Sequence, residues 1–162
     1  MTTELNRNAE DAVADISNVK SVTDALSEVL SDTYRLILKT QTYHWNVMGP
    51  LFHPVHVMTE EQYTDMFAAV DELAERIRAL GKPAVVNPTA LSAGPDGTHP
   101  DATLPATDMV KDLASDHEAL ARRLRALVDT AEDARDPVTA DLATVRATFH
   151  EKAAWMLNAT AA

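Results

Sequence analysis

Two histidines and two carboxylates carry the chemistry this sequence can support: His44, His56, Asp71 and Glu75. Imidazole nitrogen and carboxylate oxygen together suit iron, manganese or zinc, and a chain without cysteine offers no thiolate to copper(I). Asp71 and Glu75 are four apart, as are His56 and Glu60, so each pair shares one face of a helix. At about 100° per residue, the step from His56 to Asp71 leaves roughly 60° between them, and the step from Glu60 to Asp71 roughly 20°. His56, Glu60, Asp71 and Glu75 therefore form one stripe, offset by one position from the apolar line of the same segment. Along the axis, however, His56 and Asp71 stand roughly 22 Å apart, whereas metal–ligand bonds are about 2 Å long. One straight helix cannot bring them to one ion. Two copies of the helix can, if they lie antiparallel about a two-fold axis near Tyr63 and Thr64. His56 of one chain then meets Asp71 of the other, and two equivalent sites result. His44, at the end of the preceding helical segment, is placed to complete the nitrogen side. Spacing alone leaves plainer readings open: Asp71 and Glu75 also suit a solvated helix face, and His44, on an inward line, suits a core position.

The elements that must position these residues are four long helical segments. The first is expected from Ser21, with Ser21 and Asp24 as a capping box, to about Val47, where Gly49-Pro50 stops it. Val22, Leu26, Val29, Leu30, Thr33, Ile37, Thr40 and His44 follow its period. The second runs from about Pro54 to Leu80, with Val55, Met58, Gln62, Met66, Ala69, Leu73 and Ile77 inward, and Gly81-Lys82-Pro83 ends it. Residues 82–106 form a connection rich in Pro, Gly and Thr, with one or two helical turns expected over Pro88 to Ala93. Its length fits a crossover between two halves of a bundle. The third segment spans about Thr107 to Thr130, and the fourth starts with Asp136 as N-cap and Pro137 at the first helical position, continuing to about Asn158. The pattern predicts an all-α domain over residues 21–162, preceded by a partly flexible segment, 1–20. No Glu-x-x-His occurs, so the usual di-iron pattern inside one bundle is missing.

Composition narrows the function further. A chain of 162 residues supports one domain with a sizeable core. No apolar run approaches the roughly 20 residues of a membrane span, and the acidic start does not read as a secretory signal. A cytoplasmic location is expected, with or without association with the nucleoid. The formal net charge is −11, a balance that attracts cations and repels phosphate backbones. Neither end is a basic arm: Arg7 and Lys20 are set against Glu4, Glu10, Asp11 and Asp15, and near the other end Lys152 stands alone.

The stretch Tyr43-His44-Trp45-Asn46-Val47-Met48-Gly49-Pro50-Leu51-Phe52, followed by His56, Asp71 and Glu75, resembles the Dps (DNA protection during starvation) family of mini-ferritins. The similarity continues through Val70 to Gly81 and resumes at Thr139 to Leu142 and Trp155 to Leu157. The resemblance implies a ferritin-like four-helix bundle, with the long crossover between helices two and three, assembled into a hollow dodecamer. It implies ferroxidase sites between subunits, with His44 and His56 from one subunit, Asp71 and Glu75 from its two-fold mate, and Trp45 beside them. The implied activity is oxidation of Fe(II), with hydrogen peroxide preferred to dioxygen, and storage of ferric mineral inside the cage; the imidazole and carboxylate ligands themselves also suit zinc or manganese as substitutes for iron. Glu60 stands where many relatives carry an aspartate that assists a second iron, and His53 is an additional histidine within the motif. Asp136 and Asp141 are the nearest matches to the acidic residues that line the family's iron-entry pores. His99, His117 and His150 fit no partner pattern. The family also implies an alternative, a DNA-compacting assembly with secondary iron chemistry, which the charge at both termini disfavours.

Overall fold

The computed structural model describes residue 13, residues 15–86 and residues 99–162. Among the described residues the secondary structure is four helices: α1 (Val19–Asn46), α2 (Phe52–Ala79), α3 (Ala106–Asp133) and α4 (Pro137–Ala161). Among the described residues there is no strand, so the fold is all-α. No described helix is long and apolar enough to cross a membrane.

Cross-helix pairs fix the directions. His44 meets His56, so α1 and α2 form an antiparallel hairpin. Lys39 pairs with Asp112 and Asp116, while Arg123 pairs with Glu28 and Asp32, so α1 and α3 are antiparallel. Arg76 pairs with Asp136 and Arg146 with Asp65, which makes α2 and α4 antiparallel too. Helices α2 and α3 consequently run the same way. A chain leaving the end of α2 must return past the whole bundle before α3 can begin. A 28-residue helix is about 42 Å long, and that distance is the physical reason for the long connection. The helical turns expected at Pro88 to Ala93 lie outside the described residues.

The core follows the apolar lines predicted for the first two helices, and α3 and α4 close it with buried residues of their own. Val22, Leu26, Leu30 and Ile37 of α1, Val55, Met66, Leu73 and Ile77 of α2, Met109, Leu113, Leu124 and Leu127 of α3, and Ala143, Ala147 and Leu157 of α4 are buried together. Val13 and Ile16, ahead of α1, also pack on this core. The start of α1 differs from expectation. Ser21 and Asp24 do not form a capping box: the helix begins at Val19, after Asn18 in a left-handed conformation, and Asp24 pairs with Lys20. Val19 packs against the core, which extends the helix backwards past Ser21, and asparagine is among the residues that tolerate the left-handed region. The start of α4 is as expected, with Pro137 in its first turn and the Asp136 carboxylate accepting from the Thr139 amide at 3.0 Å.

Candidate metal centre

The end of α1 and the start of α2 hold the two histidines in a reciprocal lock. Gly49, with φ of +87°, turns the chain between them. The Nδ1–H of His44 donates to the main-chain carbonyl of His56 at 2.8 Å, and the Nδ1–H of His56 donates to the carbonyl of His44 at 2.9 Å. A carbonyl only accepts, so the proton of each neutral ring sits on Nδ1 and Nε2 keeps a free lone pair. This is how a ligating imidazole is ordinarily fixed in tautomer and orientation. The two rings stack with centroids 3.8 Å apart and planes 14° from parallel. Phe52 stacks on the far face of this pair against His56, and Tyr63 meets His44 edge-on. Thr59 lies beneath: its hydroxyl donates to the Val55 carbonyl at 2.7 Å and lies 3.2 Å from His44 Nδ1 as a second acceptor. His44 is buried and His56 half-buried.

The carboxylates stand apart from the histidines within the subunit. Glu60, Asp71 and Glu75 all lie on the exposed face of α2, beside the buried line through Gln62, Met66, Ala69 and Leu73. Among the described residues no three His, Asp or Glu side chains converge as metal ligands. The subunit thus presents an oriented nitrogen pair near one end of α2 and a carboxylate pair near the other. The surface around them is apolar: Trp45 is 67% exposed and Met48 80%, and Phe52, Val57 and Phe67 also reach solvent. An apolar patch around incomplete ligand sets is the surface expected of a contact with another subunit. His53 is exposed next to Phe52.

The two acidic residues at the start of α4 part company. Asp141 is exposed. Asp136 has no exposed surface: it caps α4, accepts from the Thr139 hydroxyl at 2.5 Å and pairs with Arg76 at 2.7 Å. Burial alone would raise its pKa, but the hydrogen bonds from Thr139 and Arg76 outweigh burial and hold it below the ordinary carboxylate range. Its carboxylate is committed inside the subunit.

Several residues of the site leave no mark in side-chain spacing. The acceptors that fix both imidazoles are main-chain carbonyls, and only Thr59, three residues after His56, offers a side-chain signal. Tyr43, adjacent to His44, turns the other way, and its hydroxyl donates to Asp112 at 2.5 Å. Burial and this carboxylate push the phenol pKa up.

Fold and site together define a class, a ferritin-like helical subunit, and comparison with known proteins agrees. A family model described as a ferritin-like domain matches residues 23–162. The chain is 34% identical to "DNA protection during starvation protein 2" of Bacillus anthracis, over 86% of this chain and 96% of that protein. Its structure is similar to that of Dps from Thermosynechococcus elongatus, with a TM-score of 0.81 and 30% identity over 88% of this chain and 91% of that one. It is also similar to the Dps protein of Vibrio cholerae O1, described as a member of a broad superfamily of ferritin-like diiron-carboxylate proteins. There the TM-score is 0.79 and identity 30%, over 87% of this chain and 89% of that one. The chain belongs to the Dps family within the ferritin-like superfamily.

Proposed function

We propose that this protein oxidises Fe(II) at sites shared between two-fold-related subunits and stores the ferric product inside a dodecameric cage. The observation that carries this reading is the reciprocal Nδ1–carbonyl lock, which leaves the Nε2 atoms of His44 and His56 free as ligands. A mate placed antiparallel along α2 supplies Asp71 and Glu75. Two neutral nitrogens and two carboxylates then balance the charge of Fe(II) and suit its intermediate hardness. Family membership supports iron as the metal, and the exposed apolar rim of Trp45, Met48 and Phe52 supports burial of the site by a partner.

Fe(II) is a substrate here. Cleaving the O–O bond of one hydrogen peroxide takes two electrons, one from each of two Fe(II) ions, and hydrolysis of the Fe(III) formed releases protons. The protein's part is to hold iron in an open coordination sphere that peroxide or dioxygen can enter. His44, His56, Asp71 and Glu75 bind the first iron. Glu60, one turn beyond His56 on the same exposed stripe, reaches toward a second. Asp141 is the carboxylate we assign to an entry pore, since Asp136 is already engaged with Arg76 and Thr139. Consuming Fe(II) and peroxide together removes the reactants that generate hydroxyl radical. The net charge of −11 argues against phosphate-backbone binding as the main role.

The test is oxidation of Fe(II) by peroxide, followed optically, in the native protein and in a His44→Ala/Asp71→Ala variant. The native protein should give fast oxidation and a soluble ferric core, and the variant should lose at least tenfold in initial rate. Equal rates would reject the site.

A further inference from the structure

Away from the metal centre, the middle of the bundle holds a polar layer that iron chemistry does not use. His117 of α3 and His150 of α4 are 0% and 1% exposed, and their Nδ1 atoms lie 2.9 Å apart. Because nitrogen meets nitrogen, only one hydrogen fits between them: one ring donates, the other accepts. Arg146, one turn before His150, lies with its guanidinium 4.5 Å from the Phe149 ring, and that ring packs edge-on against His150. The α2–α4 register set by Arg76–Asp136 and Arg146–Asp65 brings Gln62, three residues before Asp65, level with His150. Gln62 is buried, and among the described residues neither its amide nitrogen and oxygen nor His117 Nε2 has a hydrogen-bond partner. A cation fits this layer poorly, since among the described residues no carboxylate joins the pair as a ligand and a guanidinium lies beside it.

We propose that the His117–His150 contact is an acid-labile catch that joins α3 to α4 while both rings are neutral and releases them once the accepting ring takes a proton. A proton on the accepting Nδ1 sets two N–H groups head-on, so the bond cannot survive it. The charge so created would be buried beside a guanidinium. The charged groups on the surrounding elements do not relieve it. Asp65 of α2 is held by Arg146, and on the α1–α3 side Asp112 and Asp116 are held by Lys39. On α4, Glu151 is exposed and paired with Arg125, and on α3 exposed Glu118 bonds Asn158. Burial, then the neighbouring positive charge, lowers His117 to about 3; burial, then His117 and Arg146, lowers His150 to about 2. The closed subunit therefore resists protons that the opened one accepts at ordinary histidine values near 6.5. The closed form holds its full advantage above that value and loses it as pH falls. With two histidines, opening gains about a hundredfold per pH unit between roughly pH 5.5 and 4.5.

The experiment is amide hydrogen exchange on the assembled protein, corrected for the intrinsic pH dependence of exchange. Protection of α3 and α4 amides around His117 and His150 should fall about a hundredfold per pH unit in that window. In a His117→Gln/His150→Gln variant, which can form an amide hydrogen bond but does not titrate there, the slope should flatten. Equal slopes in the two proteins would overturn the proposal. Should the variant fail to fold, the ring proton resonances of the native protein decide: neither His117 nor His150 should titrate above pH 4.5 while the subunit stays closed. A midpoint near 6.5 for either in the closed subunit would overturn it. Neither readout involves iron, so the outcome is separate from that of the ferroxidase assignment.

Discussion

Replacing Asp136 by alanine should destabilise the subunit strongly while leaving the proposed metal ligands untouched. The carboxylate caps α4 through the Thr139 amide, accepts from the Thr139 hydroxyl, and neutralises Arg76, whose side chain is 14% exposed. Loss of a side-chain N-cap costs about 0.5–2 kcal/mol. Leaving one partner of a buried ion pair unpaired costs about 3–5 kcal/mol. The two overlap on one side chain, so we expect a total of about 3–5 kcal/mol, or roughly 10 °C in Tm for a chain of this size. Asp136→Asn keeps an acceptor for the Thr139 amide but loses the charge, and should fall between native and alanine. The pH dependence follows from the lowered pKa of Asp136. Its contribution is complete above the unfolded value of about 3.9 and disappears as pH drops through the lower folded value. The gap between native and Asp136→Ala should thus close in acid. Urea unfolding at a fixed subunit concentration, at pH 7 and again near pH 3, measures both. A loss below about 1 kcal/mol at pH 7 would refute the reasoning, because a fully engaged buried carboxylate cannot be that inexpensive to remove.

Other substitutions probe single features. Asp141→Ala should leave Tm within about 1 °C, as an exposed change away from the core, and should slow iron uptake measured by stopped-flow; normal uptake would remove Asp141 from the entry route. Tyr43→Phe deletes a hydrogen bond to the Asp112 carboxylate and should cost about 1.5–3 kcal/mol in thermal unfolding. In the native protein, optical titration should show the Tyr43 phenol still protonated at a pH where an ordinary tyrosine has ionised. Gly49→Ala meets no atom within 4 Å at the new Cβ, so its cost is the backbone's alone, about 1–2 kcal/mol at φ of +87°.

The helices were legible because their apolar residues recur at three and four, and the structure buries the lines expected on the first two, with Met58 alone half-buried. Their ends were less so. Ser21 and Asp24 read as a capping box, but packing of Val19 on the core outweighed that local signal and moved the start back to Asn18. The stripe of His56, Glu60, Asp71 and Glu75 was visible from rotation per residue. The lock on the two imidazoles was not, because its acceptors are main-chain carbonyls set by the Gly49 turn. Asp136 shows the opposite failure. Its capping role could be read from the Pro137 that follows it, yet its pairing with Arg76 depends on the α2–α4 register, which no local pattern encodes. His117 and His150 are 33 residues apart and meet only because α3 and α4 pack along their whole length.

The central claim is that each site draws nitrogen from one subunit and carboxylate from another. It is tested most directly by mixing two inactive variants, His44→Ala/His56→Ala and Asp71→Ala/Glu75→Ala, unfolding them together and reassembling them. Each mixed two-fold pair would contain one site with all four ligands and one with none. Random pairing of equal amounts makes half the pairs mixed, so about a quarter of all sites should recover Fe(II) oxidation. A reassembled mixture as inactive as its two parents would contradict the account.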